Sequence, residues 1–351
     1  MLLSVDSRTY ILSKFKKYKN SYPFLDKLIN KKINFLGTNS GPQNFLSDLV
    51  FVIDKSKCAE ITFNFFSSDI HLINSGYYSA IWKYMKPKKK EKVVLRLDGI
   101  GIDDPNKDLK VIKNDIKRLI SKSRFLIYQS EFCRNCFQES YDSLPNGIVI
   151  NNGAKALSEI DVYTKKLINY INYRFKGNFF TLAGRFTGRK RIKEVIDQFN
   201  ESEIGNLVVL SNVPAKLKYR NSRIIYLGMI EPNSARHIIA SSKALIHFDR
   251  YDWCPNLVVS AIRDKIPVIC SNFGGTPEIT GRNGLIIDEF PKNLPNNIEG
   301  INFVKQSKFP SEIFKDNILN IYKYGLNINF NKSFLIESSA KEYIDTLKNF
   351  V

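Results

Sequence analysis

At 351 residues the chain exceeds a single ordinary core and predicts two domains of roughly 100–200 residues each. An apolar fraction of 43% is that of a globular protein, and no uninterrupted apolar run reaches the ~18 residues of a membrane span. Lys and Arg number 53 against 34 acids, a net charge of +19. That excess predicts a polyanionic neighbour: a nucleotide sugar, an anionic membrane surface or nucleic acid. Nucleic acid ranks lowest and is not expected as a partner, because the lysines are spread out and no nucleic-acid module accompanies them. A genome biased toward Lys, Asn and Ile would account for part of the same excess. The five cysteines are odd in number and scattered, which predicts reduced thiols of a cytoplasmic protein. The opening MLLSVDSRTYILSKFKK does not read as a signal peptide, because its apolar patch is short and Asp6 precedes the basic residues.

The first thirty residues interleave Tyr10, Ile11, Phe15, Tyr18, Phe24 and Leu28 with lysines. Such a basic aromatic helix, interrupted at Pro23, can lie at the inner face of a membrane or pack on its own domain. A short strand is expected at Ile33–Leu36, followed by a glycine-rich turn over 37–54 that carries Gly41, Pro42 and Asn44 into a helix. Strands follow at Glu60–Phe65 and His71–Ile73, then a helix over Ser75–Met85. The buried strand Lys92–Leu97 opens onto Asp98-Gly99 with Arg96 beside it. A charged pair at the carboxyl end of a strand is a candidate site, with a structural ion pair as the competing reading. A lysine-rich helix spans Leu109–Ser123 and a strand Phe125–Ser130, where Ser130 is placed to cap the next helix. Cys133 and Cys136 form a CxxC without a second pair or a suitably spaced His, so core or surface thiols are expected and no metal. The strand Ile148–Asn151 ends at Asn152-Gly153, and the first domain is expected to close at residue 165.

The second half restarts with Asn178–Ala183 running into GRFTGRK, which holds Arg185 and Lys190 on one loop. A guanidinium and an ammonium so placed can neutralise a diphosphate. Arg189 and Arg191 read as solvated neighbours. Strands follow at Asn206–Leu210 and Ile224–Leu227, then Gly228, then a helix opened by Glu231-Pro232. His237 and His247 lack ligand-like spacing and read as structural. From His247 to Ile279 the order is strand, turn, helix, strand, turn. Pro255 suits the start of a helix, and Gly274-Gly275 ends the strand Val268–Cys270 where backbone amides can approach a ligand. A strand at Asn283–Ile287 and a closing helix from Phe334 to Phe350 complete the chain. The second domain is expected over 166–333, and the closing helix, 334–351, to return to the first.

This second-half stretch resembles the donor-site signature of retaining glycosyltransferases of family 4: a Glu, seven residues, a second Glu, a strand and a Gly-Gly-x-Pro-Glu turn. Gly274, Gly275, Thr276, Pro277 and Glu278 match its end, and Pro255-Asn256 its middle. Asp252 stands in place of the first Glu and Ser260 in place of the second. The Gly-Arg…Lys spacing of Arg185 and Lys190 and the Asn-Gly turn at 152–153 resemble the family as well.

The resemblance implies an α/β protein of GT-B architecture, two Rossmann-like domains with parallel sheets facing a central cleft. It implies hexosyl transfer, with retention, from a nucleoside-diphosphate sugar to a glycan or lipid-linked acceptor in cell-surface polysaccharide synthesis. No cofactor or metal is implied, since no Asp-x-Asp occurs. Arg185, Lys190, Gly228, Cys254, Pro255, Asn256, Ser260, Gly274, Gly275 and Thr276 are the implied donor contacts. Asp98, at a position where the family commonly has a His, and Asp252 are the implied catalytic residues. Gly41, Pro42, Asn44, Arg96 and Gly99 are implied for the cleft and acceptor. The departures at Asp252 and Ser260 leave a second class open, a degenerate protein that binds nucleotide sugar or a partner without turnover.

Overall fold

Short strands buried on both faces read as bare apolar runs, and the order in which they join a sheet decides the architecture. The computed structural model describes residues 1–5, 41–62, 68–75, 92–99 and 109–351. The chain divides into two compact units, Met1–Lys155 with Leu335–Val351, and Ala156–Phe334. The first division thus falls ahead of residue 165.

In the first unit, strand β1 (Leu2–Val5) precedes helix α1 (Gly41–Ser56), β2 (Glu60–Thr62), β3 (Ile70–Asn74), β4 (Val93–Leu97), helix α2 (Leu109–Ser121), β5 (Phe125–Tyr128), helix α3 (Glu131–Ser140) and β6 (Gly147–Val149). All pairings are parallel in the order β2-β1-β3-β4-β5-β6. The segment MLLSV, expected only as an apolar patch, is therefore a strand interior to the sheet. Three apolar residues interrupted by Ser4 carry no periodicity to mark them. The apolar face of α1, with Phe45, Leu49, Val50 and Ile53, packs on Leu3, Val5, Ile70 and Leu72. Ser130 caps α3, its hydroxyl accepting from the Cys133 N–H, and Cys133 and Cys136 are buried free thiols. The expected N-terminal helix, the strand at 33–36, the helix at 75–85 beyond its first residue and the end of the strand at 60–65 lie outside the described residues.

The second unit runs α4 (Val162–Phe175), β7 (Phe180–Ala183), α5 (Ile192–Glu201), β8 (Leu207–Leu210), β9 (Ile224–Tyr226), α6 (Pro232–Ala240), β10 (Leu245–Ile246), α7 (Asn256–Arg263), β11 (Val268–Ser271), α8 (Gly275–Thr280), β12 (Gly284–Ile287), α9 (Ile298–Gln306) and α10 (Ser311–Tyr324). Its parallel sheet has the order β12-β11-β10-β7-β8-β9, a doubly wound arrangement that reverses between β7 and β10. Phe180, Phe199, Phe248 and Phe314 fill its core. The last helix, α11 (Ile336–Lys348), belongs to the first unit. Tyr343 lies 6.2 Å from the Phe45 ring. At Gly153 a Cβ would come within 2.6 Å of Ile336 Cα, so the Asn-Gly turn is glycine because the returning chain passes over it. Among the described residues no helix is long and apolar enough to cross a membrane.

His71 on β3 is buried, with Nδ1 2.6 Å from Ser4 Oγ and 3.0 Å from Ser68 Oγ. Burial, with the Lys92 charge adding to it, pushes the imidazole from 6.5 down to about 4. The unfolded chain takes up the proton first, so this contribution to stability is complete above about pH 6.5 and is lost as pH falls toward about 4. The loss across that window amounts to roughly 2–3 kcal/mol. Urea denaturation at pH 7 and pH 4.5 checks it: a His71→Gln variant shows a smaller drop between the two than the parent.

Candidate functional site

In doubly wound sheets, ligands bind beyond the carboxyl ends of the strands where the order reverses. In the second unit that point lies between β7 and β10, and charge is concentrated there. The loop after β7 carries Arg185, Arg189 and Lys190, and the segment after β10 carries His247, Asp249 and Asp252. Lys190 Nζ lies 2.8 Å from Asp249 Oδ2 and 3.5 Å from Asp252 Oδ2. Arg189 Nη1 lies 3.4 Å from Asp252 Oδ2 and 3.8 Å from Asp249 Oδ2, and donates to Tyr251 O at 2.5 Å. Two cations thus meet two carboxylates. Burial alone would raise the Asp252 carboxyl, but the Arg189 and Lys190 charges outweigh it and hold the group well below the usual carboxylate range. His247, 3% exposed, places Nε2 3.4 Å from Asp249 Oδ2 and 3.7 Å from Asp252 Oδ2. His247, Asp249 and Asp252 form a group of metal-ligand types, with the Lys190 ammonium already against its carboxylates. Arg185 is exposed and makes no ion pair among the described residues.

The loop is fixed from behind. Arg191, expected to be solvated, is fully buried in the left-handed conformation (φ 50°). Its guanidinium donates to Glu289 Oε1 at 2.5 Å and Ser307 Oγ at 2.9 Å and lies over the Phe309 ring at 5.5 Å. A buried guanidinium needs such partners, and they lie far along the chain, where spacing gives no sign of them. Arg189, also expected in solvent, is drawn in by Asp252 and Tyr251. Gly184 has φ 143°, and a Cβ there would lie 3.1 Å from Lys190 Cδ, so the glycine lets the lysine stem pass toward Asp249.

The expected donor contacts after β11 are tightly packed. A Cβ on Gly275 would come within 2.0 Å of Trp253 O, and its amide donates to Asp252 O at 2.7 Å. The Gly274 amide donates to Asn296 Oδ1 at 3.2 Å. The two glycines therefore let α8 approach the 251–253 segment, and their amides are taken up by Asp252 O and Asn296 Oδ1 rather than left for a ligand. Cys254 and Pro255 are buried, Asn256 and Ser260 half-buried, and Thr276 is buried with a hydroxyl that has no hydrogen-bond partner among the described residues. Pro255 immediately precedes α7, whose first turn has no side-chain cap, so its amides are oriented as an anion would require. Gly228 takes φ 73° after β9, next to Asn212, whose Oδ1 accepts from the Met229 N–H at 3.0 Å. His237, with Nε2 2.9 Å from Ser158 O, stands apart from the charged cluster.

In the first unit, Arg96 and Asp98 end β4. The Arg96 guanidinium is fully buried, paired with the Asp98 carboxylate, and donates to Asn152 Oδ1 at 2.7 Å, with the Phe45 ring at 4.9 Å. The Asp98 N–H donates to Ser75 Oγ at 3.0 Å, and Gly99 follows with φ 122°. Gly41 and Pro42 open helix α1 rather than a loop, and Asn44 is half-buried within it. A proline in the first helical turn loses no hydrogen bond.

No model of a known protein family matches the sequence, and no curated protein does. Solved structures do. HepE of Anabaena, in complex with UDP and glucose, superposes over 99% of each chain with a TM-score of 0.56 at 12% identity. Sucrose-phosphate synthase of Thermosynechococcus elongatus covers 88% of this chain and 76% of its own, with a TM-score of 0.53 at 13% identity. The pneumococcal O-GlcNAc transferase GtfA, in complex with UDP and GlcNAc, covers 88% and 60%, with a TM-score of 0.51 at 13% identity. The fold is GT-B. At such identities the likeness is one of fold alone, and the site rests on its own residues.

The Arg96–Asp98 pair changes what a substitution at Asp98 reports. Neutralising the carboxylate strands a buried guanidinium, so Asp98→Asn costs stability of about 3–5 kcal/mol. Chemical denaturation checks this, and a double variant Arg96→Met/Asp98→Asn recovers most of the loss.

Proposed function

We propose that the chain transfers a hexosyl unit from a nucleoside-diphosphate sugar, with retention, to a glycan or lipid-linked acceptor in cell-surface polysaccharide synthesis. It would work in the cytoplasm, where donor sugars are made, at or near the inner membrane face. The observation that carries the reading is the charged cluster at the β7/β10 reversal, the place where a doubly wound sheet takes its nucleotide. There the exposed Arg185 supplies a guanidinium fork for phosphate oxygens, and Lys190 and the start of α7 add countercharge as the diphosphate leaves. Lys190 and Arg189 occupy the cation positions beside Asp249 and Asp252, which supports side-chain rather than metal countercharge. HepE and GtfA each have UDP bound in their structures, which makes UDP the first nucleotide to test. On this reading the second unit holds the donor and the first the acceptor.

The reactive carbon gains positive charge in the transition state, so a nearby carboxylate contributes most there. Asp252 is suited to that role because it stays ionised. A second reading, a nucleotide-sugar-binding module without turnover, is favoured by Ser260, which replaces a two-oxygen acceptor by a single hydroxyl. A panel of UDP-, GDP- and ADP-sugars with a crude lipid and glycan extract separates the two. Consumption of a donor supports the enzyme, whereas nucleotide binding without consumption supports the module.

Calorimetry tests the site itself. Arg185→Ala removes an exposed donor and weakens nucleoside-diphosphate binding by ~1.5–3 kcal/mol. Lys190→Ala weakens it at least as much, because it leaves two carboxylates facing one cation. Unchanged affinity in both variants sinks the donor-site assignment. Ser260→Glu restores the second acceptor oxygen and tightens nucleotide binding; weaker binding in a folded variant shows a pocket shaped to the smaller side chain.

A further inference from the structure

Helix α4 exposes apolar and aromatic side chains beside its charged ones. Thr164, Ile171 and Phe175 are buried and define its inner face, where the Thr164 hydroxyl meets Ser234 Oγ on α6 at 2.7 Å. At 3.6 residues per turn, Val162, Lys166, Tyr170 and Tyr173 fall on the opposite, outermost face, with Tyr163 beside them. Tyr173 is 85% exposed, Val162 73%, Tyr163 69% and Tyr170 50%. With Ile160, these are five of the thirteen large apolar or aromatic side chains exposed among the described residues, gathered in fourteen positions. A surface helix ordinarily turns charged residues outward. A stripe of apolar and aromatic side chains there marks an interaction surface.

Charge selects the partner. Lys165, Lys166, Arg174 and Lys176 are all exposed along the same helix and its end, while Asp161, the one acid of this stretch, is engaged as the N-cap, accepting from the Thr164 amide. A second copy of the chain would bring this basic face against itself. The stripe runs along a single helix, which suits a flat and deformable partner. Tyrosine belongs at the boundary between hydrocarbon and headgroups, where its ring is apolar and its hydroxyl is wet. Lysines reach outward from the same depth to lipid phosphates. The stripe from Val162 to Tyr173 is about 17 Å long at 1.5 Å per residue.

We infer that the outer face of α4 is a membrane-docking surface that seats its tyrosines among the headgroups of an anionic bilayer. This lies outside the donor site and does not depend on turnover. The test is co-sedimentation of the full chain with vesicles of phosphatidylcholine alone or with 30 mol% phosphatidylserine, taken as roughly the anionic content of a cytoplasmic leaflet, at low and at high salt. The protein sediments with the anionic vesicles and is released by salt. Lys165→Gln/Lys166→Gln weakens binding roughly twenty- to thirtyfold at low salt, about fivefold per cation. Tyr163→Ser/Tyr170→Ser/Tyr173→Ser weakens it about tenfold or more. Both variants keep the parent's melting temperature and nucleoside-diphosphate affinity, because the altered side chains are exposed and distant from the donor loop in sequence. Absence of binding by the parent overturns the inference. So does parental binding by both variants, which would place the contact elsewhere in this basic chain. Loss of heparin binding in the variants with vesicle binding intact also overturns it, because the face would then serve a soluble polyanion.

Discussion

Two cations held against two carboxylates at the reversal of the second sheet are the interaction on which the rest of that unit depends. Strand β7 ends where its chain must turn away to begin one half of the sheet, and β10 begins the other half beside it. Parallel neighbours place both carboxyl ends together, so residues about sixty positions apart in sequence become partners. Gly184 leaves room for the Lys190 stem on its way to Asp249, since a Cβ there would lie 3.1 Å from Lys190 Cδ. The loop keeps that course because Arg191, in a left-handed conformation, is tied to Glu289 and Ser307. Arg250 reinforces the same support, donating to Val304 O at 2.8 Å and Ser307 O at 2.6 Å. Strain at Arg191 and burial of its guanidinium are offset by hydrogen bonds to Glu289, beyond β12, and to Ser307, beyond α9.

The alternation of apolar strands with helices was legible in the sequence because both periodicities and their turn residues are local. Strand β1 was not, since three apolar residues at a chain start look the same whether they enter a sheet or lie on it. At the site, the Gly-Arg…Lys loop and the proline before α7 could be read because each is a local backbone requirement. His247 and Asp249 could not, because their significance lies in the neighbour that the strand order provides. The available signal was an alternating polar run, His247 and Asp249, directly beyond a two-residue strand. Arg191 shows the converse. In sequence it is one basic residue among several, and only its distant partners distinguish a buried anchor from a solvated charge.

Glycine carried two different meanings. Gly274-Gly275 resembled a turn that opens the backbone to a ligand, yet the space freed by the missing Cβ atoms is filled by residues 251–253. The pair still serves the site, because it clamps the segment bearing Asp252 against the start of α8. A Cβ at Gly275 would push Trp253 O away and move the Asp252 carboxylate with it. The motif thus positions an acid through packing, and both α7 and α8 open without a side-chain cap.

The charge balance also restricts what Asp252 can do. A general acid must hold a proton near neutral pH, and the Arg189 and Lys190 charges keep this carboxyl ionised well below that range. It can therefore contribute negative charge or accept hydrogen bonds, which on the proposed reading serves a sugar that becomes positive as its bond to phosphate lengthens. A diphosphate placed beside two bare carboxylates would be repelled. Beside carboxylates already matched by Lys190 and Arg189 it meets a neutral set, with Arg185 left to attract it. On the proposed reading, Lys190, 2.8 Å from Asp249 Oδ2, is the cation available to the charge that grows on a departing phosphate.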